Sequence, residues 1–235
     1  MVKRYSLFLG LLLLMASFVA AQIVVPAIPV SIYQDPVAFW KFDEGFGNTT
    51  KDHTNNGNTG TLLGGVKWTA DSISGYALEF DGVDDKVAIK KTSSVDLVGP
   101  VTIEAWIKRK SSSDDMIVSK NGPYYLAVRG DKIEGGIYAN DGKCPRSCTT
   151  PGKNTWTTVS GTTILKQNIW YKLKVVYDLK TIQVYVNDKL EGSTPKIGEM
   201  PQVSQTVNLG WGAPGHNQYF TGILDDVAIY DSAKK

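Results

Sequence analysis

Gly222-Ile223-Leu224-Asp225-Asp226-Val227-Ala228-Ile229-Tyr230, close to the end of the chain, reads as a β-strand whose apolar residues alternate with others. Side chains along a strand point to opposite faces in turn, so Asp225, Val227 and Ile229 are expected on one face and Asp226, Ala228 and Tyr230 on the other. Val227 and Ile229 belong in a core, which carries Asp225 inward with them. A buried carboxylate needs a cation, a basic side chain or backbone N–H groups. Working outward, the same kind of short apolar or alternating run recurs along the chain. Further strands are expected over Val37–Phe42, Tyr76–Phe80, Lys86–Ile89, Val101–Lys108, Met116–Ser119, Tyr124–Arg129, Lys132–Tyr138, Trp156–Ser160, Trp170–Tyr177, Thr181–Val186 and Val207–Gly210. Each is rich in Val, Ile, Thr, Tyr or Trp, and Gly, Asn, Asp and Pro separate them. Asn187-Asp188 and the Gly130-Asp131 region carry tight-turn chemistry, because these residues tolerate positive φ. No segment holds a long apolar stripe of period 3.6. Many strands without helices define an all-β antiparallel sandwich or jelly roll.

Six strings sit in a recognisable order. They are Val37-Ala38-Phe39-Trp40-Lys41-Phe42-Asp43-Glu44-Gly45, then Asp52 with Asn55-Asn56-Gly57-Asn58-Thr59-Gly60, then Gly75-Tyr76-Ala77-Leu78-Glu79-Phe80-Asp81-Gly82-Val83-Asp84-Asp85. After them come Val101–Lys108, Trp170 with Val175–Asp178 and Val184–Asn187, and Phe220–Tyr230. In this order the chain resembles the LamG-like jelly rolls of the concanavalin A-like lectin/glucanase superfamily from about Val37 to Tyr230. The resemblance implies a structural calcium ion (Ca2+) between the chain ends. Asp43, Asn58, Gly60 (through its carbonyl) and Asp225 are the expected ligands, with Asp226 in reserve. Calcium takes oxygen ligands of this kind. The alternative is that Asp43 caps a turn and Asp225 accepts loop N–H bonds without metal. Asp81, Asp84 and Asp85 form a second acidic cluster, read as a turn or a second cation site.

The N-terminus sets the compartment. Lys3 and Arg4, the apolar run Leu7–Ala16 and the small residues Val19-Ala20-Ala21 form an export signal over 1–21. Residues 22–36 form a linker, and 37–235 the domain. The protein is expected to be secreted or at the cell surface. Membrane contact is confined to the alternative of an uncleaved N-terminal anchor, since no other apolar stretch could span a bilayer. The 235-residue length suits one all-β domain. Losing Lys3 and Arg4 brings the 25 basic residues level with the 23 acidic ones. A neutral domain without a basic stripe does not attract phosphate backbones, so nucleic acid is not an expected partner. Export favours a disulfide between Cys144 and Cys148 in Cys144-Pro145-Arg146-Ser147-Cys148.

Catalytic patterns are weak. Glu79-Phe80-Asp81-Gly82-Val83-Asp84 imitates the spacing of glucanase carboxylates, but Gly82 breaks the strand that would align them, and Asp84 stands where a Glu is required. His53 and His216 lie in loops, and no Gly-x-Ser-x-Gly elbow occurs. The expectation is a non-catalytic binding module for a glycan. The alternative is an extracellular protein-recognition or adhesion domain that binds a cell-surface protein, and a glucanase-type hydrolase comes third. Sugars rest on aromatic platforms. Among the six Trp, Trp40 and Trp106 fall inside the family strings and are expected in the core. Trp211, flanked by Gly210 and Gly212 and followed by His216 and Asn217, is the first ligand candidate. Tyr138, Asn140, Asp141 and Trp156, around the cysteine loop, are the second set.

Overall fold

The computed structural model describes residues 35–140, 154–212 and 218–235. The signal, most of the linker, both cysteines, His216 and Asn217 lie outside the described residues.

Sixteen strands follow one another in the described chain, without a helix among them. They are β1 (Ala38–Trp40), β2 (Thr49–Thr50), β3 (Gly60–Leu63), β4 (Lys67–Thr69), β5 (Ala77–Asp81) and β6 (Lys86–Ile89). Next come β7 (Val101–Arg109), β8 (Asp115–Lys120), β9 (Tyr124–Arg129), β10 (Lys132–Asn140) and β11 (Asn154–Ser160). The last are β12 (Trp170–Tyr177), β13 (Thr181–Val186), β14 (Lys189–Pro195), β15 (Val207–Leu209) and β16 (Thr221–Tyr230). They form two antiparallel sheets, the all-β sandwich expected. One runs β14-β13-β12-β7-β16-β5-β4, with β1 also paired to β16. The other runs β11-β10-β9-β8-β15-β6-β3-β2. The first and last strands pair, with Trp40 opposite Val227.

The strands that pattern reading passed over are β2, β3, β4 and β14. Apart from β14 they run no more than four residues, and β2, β4 and β14 close the ends of their sheets. Such strands bury little, so they lack the apolar alternation that marks a strand in sequence. The turns behaved as their chemistry requires: Asn187 and Asp188 stand at φ 49° and 62°, and Gly130 and Asp131 at 52° and 61°.

Residues from both sheets fill one core, including Trp40, Phe42, Phe80, Ile103, Ile107, Tyr124, Leu126, Val175, Tyr177, Leu224, Val227 and Ile229. Trp40 is fully buried and donates its indole N–H to the Asn58 carbonyl at 2.7 Å. Trp106 is only half-buried and corrects the expectation of a core role. It shares the outer face with Glu104 and Lys108, while Ala105 and Ile107 point inward.

The deciding strand holds a second correction. Between Asp225 and Ala228 a β-bulge shifts the register: Asp225 faces Trp106, whereas Ala228 faces Glu104. The extra residue reverses the in–out alternation. Leu224 therefore shares the core with Val227 and Ile229, and Asp225 lies on the opposite, outer face beside Trp106. It is nonetheless fully buried, because the 72–75 turn folds over it.

Candidate functional site

On the outer face of the second sheet lies a cleft of about 440 Å³, lined by residues that include Ser119, Asn121, Tyr125, Arg129, Trp156 and Gln218. Its construction follows from strand alternation. In β9, Tyr124, Leu126 and Val128 enter the core, so Tyr125, Ala127 and Arg129 face out. In β10 and β11, Tyr138 is paired with Trp156 across the ladder, and Gly136 faces both Tyr125 and Thr158. The Tyr125 ring lies flat over Gly136. A Cβ there would sit 2.8 Å from Tyr125 Cδ1 and closer still to Cε1 and Cζ. Glycine at 136 thus clears the floor on which Tyr125 rests.

The result is an aromatic cradle. Trp156 packs against Tyr125 with ring centroids 5.3 Å apart and against Tyr138 at 5.4 Å, at interplanar angles of 46° and 42°. Tilted pairs at this spacing are favourable ring contacts. Trp156 remains 47% exposed, so part of its ring is open to solvent. Polar groups frame it. Tyr125 donates its hydroxyl to Glu134 Oε1 at 2.7 Å, and burial, followed by that carboxylate, pushes the phenol well above its ordinary value. Arg129 donates to Gln218 Oε1. Gln218 enters because its carbonyl accepts from Gly212 N–H at 3.0 Å, returning the chain from Trp211. Beneath the cleft, buried Lys120 pairs with Asp96 at 2.9 Å.

Trp211, the first ligand candidate, lies beside the cleft. It is half-buried, its indole N–H is buried without a hydrogen-bond partner, and Lys86 Nζ lies 4.3 Å over its ring. Its carbonyl accepts from Ser119 Oγ at 2.7 Å, which ties it to the edge of the cleft. Tyr138 and Trp156, from the second set, form the cradle with Tyr125, and Asp141 lies outside the described residues. Tyr125 and Arg129 lie outside the expected set, although the alternation through Tyr124–Arg129 places both on the outer face, and Gln218 comes from the segment that follows Trp211.

The expected calcium ligands divide into two groups. Asp43 lies exposed against Gly75. Asp225 Oδ2 accepts from the N–H groups of Ile73 at 2.7 Å and Ser74 at 3.3 Å, and Oδ1 from Asp226 at 2.8 Å. These are the loop N–H bonds of the alternative reading. Burial, with the neighbouring Asp226 charge, lifts the Asp225 carboxyl to about 6. Asp226, in the bulge at φ 45°, is raised by burial and by Asp43, against Lys41 and His53.

The Asn58 amide is engaged within the protein. Its Nδ2 donates to Asp52 at 2.8 Å and to the Val37 carbonyl at 2.9 Å, and its Oδ1 accepts from Ser94 at 2.9 Å and from Thr92. Gly60 belongs to the β3 ladder, opposite Thr50 and Ile89. Asp52 is the hub here. Burial works to raise its carboxyl, but N–H groups of Asn58, Thr54 and Phe39 outweigh it and hold the group below its ordinary value.

The glucanase-like spacing does not run along one strand: β5 ends at Asp81, and Gly82 turns the chain at φ 81°. Glu79 pairs with Lys110 at 2.5 Å.

Residues 81–235, well over half of the chain, match a laminin G family model described as the concanavalin A-like lectin/glucanases superfamily. The chain belongs to that superfamily. No curated protein sequence matches it. Among solved structures, its fold is similar to the binding domain of Paraclostridial Mosquitocidal Protein 1. The TM-score is 0.65 at 14% identity, over 86% of this chain and 50% of that one. It is similar to domain 4 of a GH43 extracellular arabinanase from Geobacillus stearothermophilus, in complex with arabinotriose, with TM-score 0.60 at 16% identity over 86% and 95% of the two chains. It is also similar to the binding domain of botulinum neurotoxin DC in complex with SialylT, with TM-score 0.61 at 12% identity over 85% and 48%. The chain spans about half the length of the toxin domains. At these identities the likeness is one of fold.

Proposed function

We propose that this protein is a secreted glycan-binding module that holds a sugar chain against the Trp156 face of the cleft. The observation that carries the reading is the half-exposed Trp156 ring, clamped between Tyr125 and Tyr138 above a cleft edged by Arg129, Gln218 and Asn121. An immobilised ring offers apolar contact area at little entropic cost, and nearby amides and a guanidinium fix hydroxyl groups. The neutral charge balance suits an uncharged or weakly charged saccharide. The arabinotriose complex of the similarly folded arabinanase domain supports the class of ligand.

The test is a glycan array followed by calorimetry with the best oligosaccharide. Binding is expected in the wild-type chain and about tenfold or more weaker in Trp156→Ala, which leaves the core intact. An array without retained glycan, or equal affinity in Trp156→Ala, overturns the reading. Capture of a purified cell-surface protein without any glycan signal would favour the recognition-domain alternative.

A further inference from the structure

The turn between β5 and β6, Asp81-Gly82-Val83-Asp84-Asp85, gathers three carboxylates. One oxygen from each of Asp81, Asp84 and Asp85 lies within 4.8 Å of the others. Calcium–oxygen distances of about 2.3–2.6 Å allow two ligands of one ion to stand up to about 5 Å apart, so the trio is within reach of a single ion. Acidic turns are common on surfaces, and Asp81 and Asp84 are exposed. Asp85 is different. It is 2% exposed. Its Oδ2 accepts from the Asp81 N–H at 2.9 Å, but its Oδ1 is buried with no hydrogen-bond partner. Burying half a carboxylate unsatisfied is costly unless something charged completes it.

Among the described residues, no basic side chain forms an ion pair with any of the three. The Lys67 charge acts to lower the Asp85 carboxyl but does not pair with it. Burial, together with the Asp81 and Asp84 charges, raises the Asp85 carboxyl. The opposite wall is the turn Gly64-Gly65. A Cβ on Gly65 would stand 3.4 Å from Asp85 Oδ1, and one on Gly64 would meet the Asp84 carbonyl carbon at 2.6 Å. Glycine at 64 lets the two turns approach backbone to backbone, and glycine at 65 leaves no side chain against the unpartnered oxygen.

We propose that Asp81, Asp84 and Asp85 hold one calcium ion at the β5–β6 turn, with water completing its shell. The ion offsets three converging negative charges and pins the turn against Gly64-Gly65. This site is separate from the Asp43–Asp225 group at the 73–75 turn, and it does not rest on the glycan reading.

The test uses the chelator-stripped chain, titrated with calcium chloride by calorimetry and melted with and without the ion. One ion per chain and a higher melting temperature in calcium are expected. Asp84→Asn changes an exposed residue and removes like-charge repulsion, so the metal-free protein should fold normally. Its calcium affinity should fall at least about tenfold. Asp81→Asn should behave alike, and Asp43→Asn should bind as wild type. No binding heat and no melting shift overturn the proposal. So does affinity that survives in both Asp81→Asn and Asp84→Asn, or that is lost in Asp43→Asn, which would place the ion at the chain ends.

Discussion

Replacing Arg109 with methionine should remove a large share of the stability of this fold, and the size of the loss can be worked out from its contacts. Arg109 and Asp115 both have fully buried side chains, joined Nε to Oδ2 at 3.0 Å. The remaining guanidinium nitrogens reach Asp131 at 2.8 Å and the carbonyls of Ser113 at 2.7 Å and Leu165 at 3.3 Å. Arg109 thus ties β7 to β8, to the β9–β10 turn and to the 165 loop. In Arg109→Met, Asp131 can turn to water, because its side chain is 39% exposed. Asp115 cannot. Its Oδ1 keeps Ser113 at 2.9 Å and Thr221 N–H at 3.4 Å, but Oδ2 loses its partner inside the protein. Stranding a buried charge in this way costs about 3–5 kcal/mol, or a fall in melting temperature of roughly 6–20 °C for a domain of this size.

The loss should also depend on pH. Burial already raises the Asp115 carboxyl, against Ser113 and Arg109, which lower it. Without Arg109 it rises further, so the folded variant binds a proton more tightly than its unfolded chain does. The deficit is then fully present near neutral pH and shrinks as pH falls through the folded value. Urea denaturation at pH 7.5 and pH 5 would measure both effects. The double variant Arg109→Met/Asp115→Leu should recover at least about 2 kcal/mol of the single variant's loss, since the stranded charge is gone. A single-variant loss below about 1 kcal/mol, or a double variant no better than the single, would refute this account of the core charge.

Asp225 titrates in the folded state at about 6, against an ordinary 3.8. Its contribution is therefore greatest below about pH 4 and declines by about 3 kcal/mol as pH rises through 6. The stability difference between wild type and Asp225→Asn should shift by that amount across this range, and a flat difference would contradict the raised value. Gly136→Ala should lift Tyr125 off its seat, weakening oligosaccharide binding about tenfold with little change in melting. Equal affinity in calorimetry would show that the ring position is not needed. Asp52→Ala leaves the N–H groups of Phe39, Thr54 and Asn58 without their acceptor and should cost about 3 kcal/mol in urea denaturation. Because the Asp52 carboxyl sits below its ordinary value, its contribution is present above about pH 4 and lost as pH falls.

The sequence by itself determined what local chemistry determines. Period-two alternation and β-branched and aromatic composition marked the strands that bury a face, such as Val101–Lys108 and Trp170–Tyr177. Asn187-Asp188 marked its turn because few other residues accept positive φ. Short edge strands such as Lys67–Thr69 carry no such pattern and were found only in the fold. The bulge at Asp225–Ala228 was equally hidden: one inserted residue reverses which face a side chain takes, and it depends on how β16 sits against β7. That reversal moved Asp225 from the core to a pocket under the 72–75 turn. The cleft was legible in part, because Tyr138 and Trp156 stood out as aromatics beside a loop. Tertiary structure alone decided that Trp156 is open while Trp211 lies under Lys86, and it alone brought Gln218 to Arg129. A binding surface is assembled from strands distant in sequence, and exposure is set by what packs across a residue rather than by its neighbours along the chain.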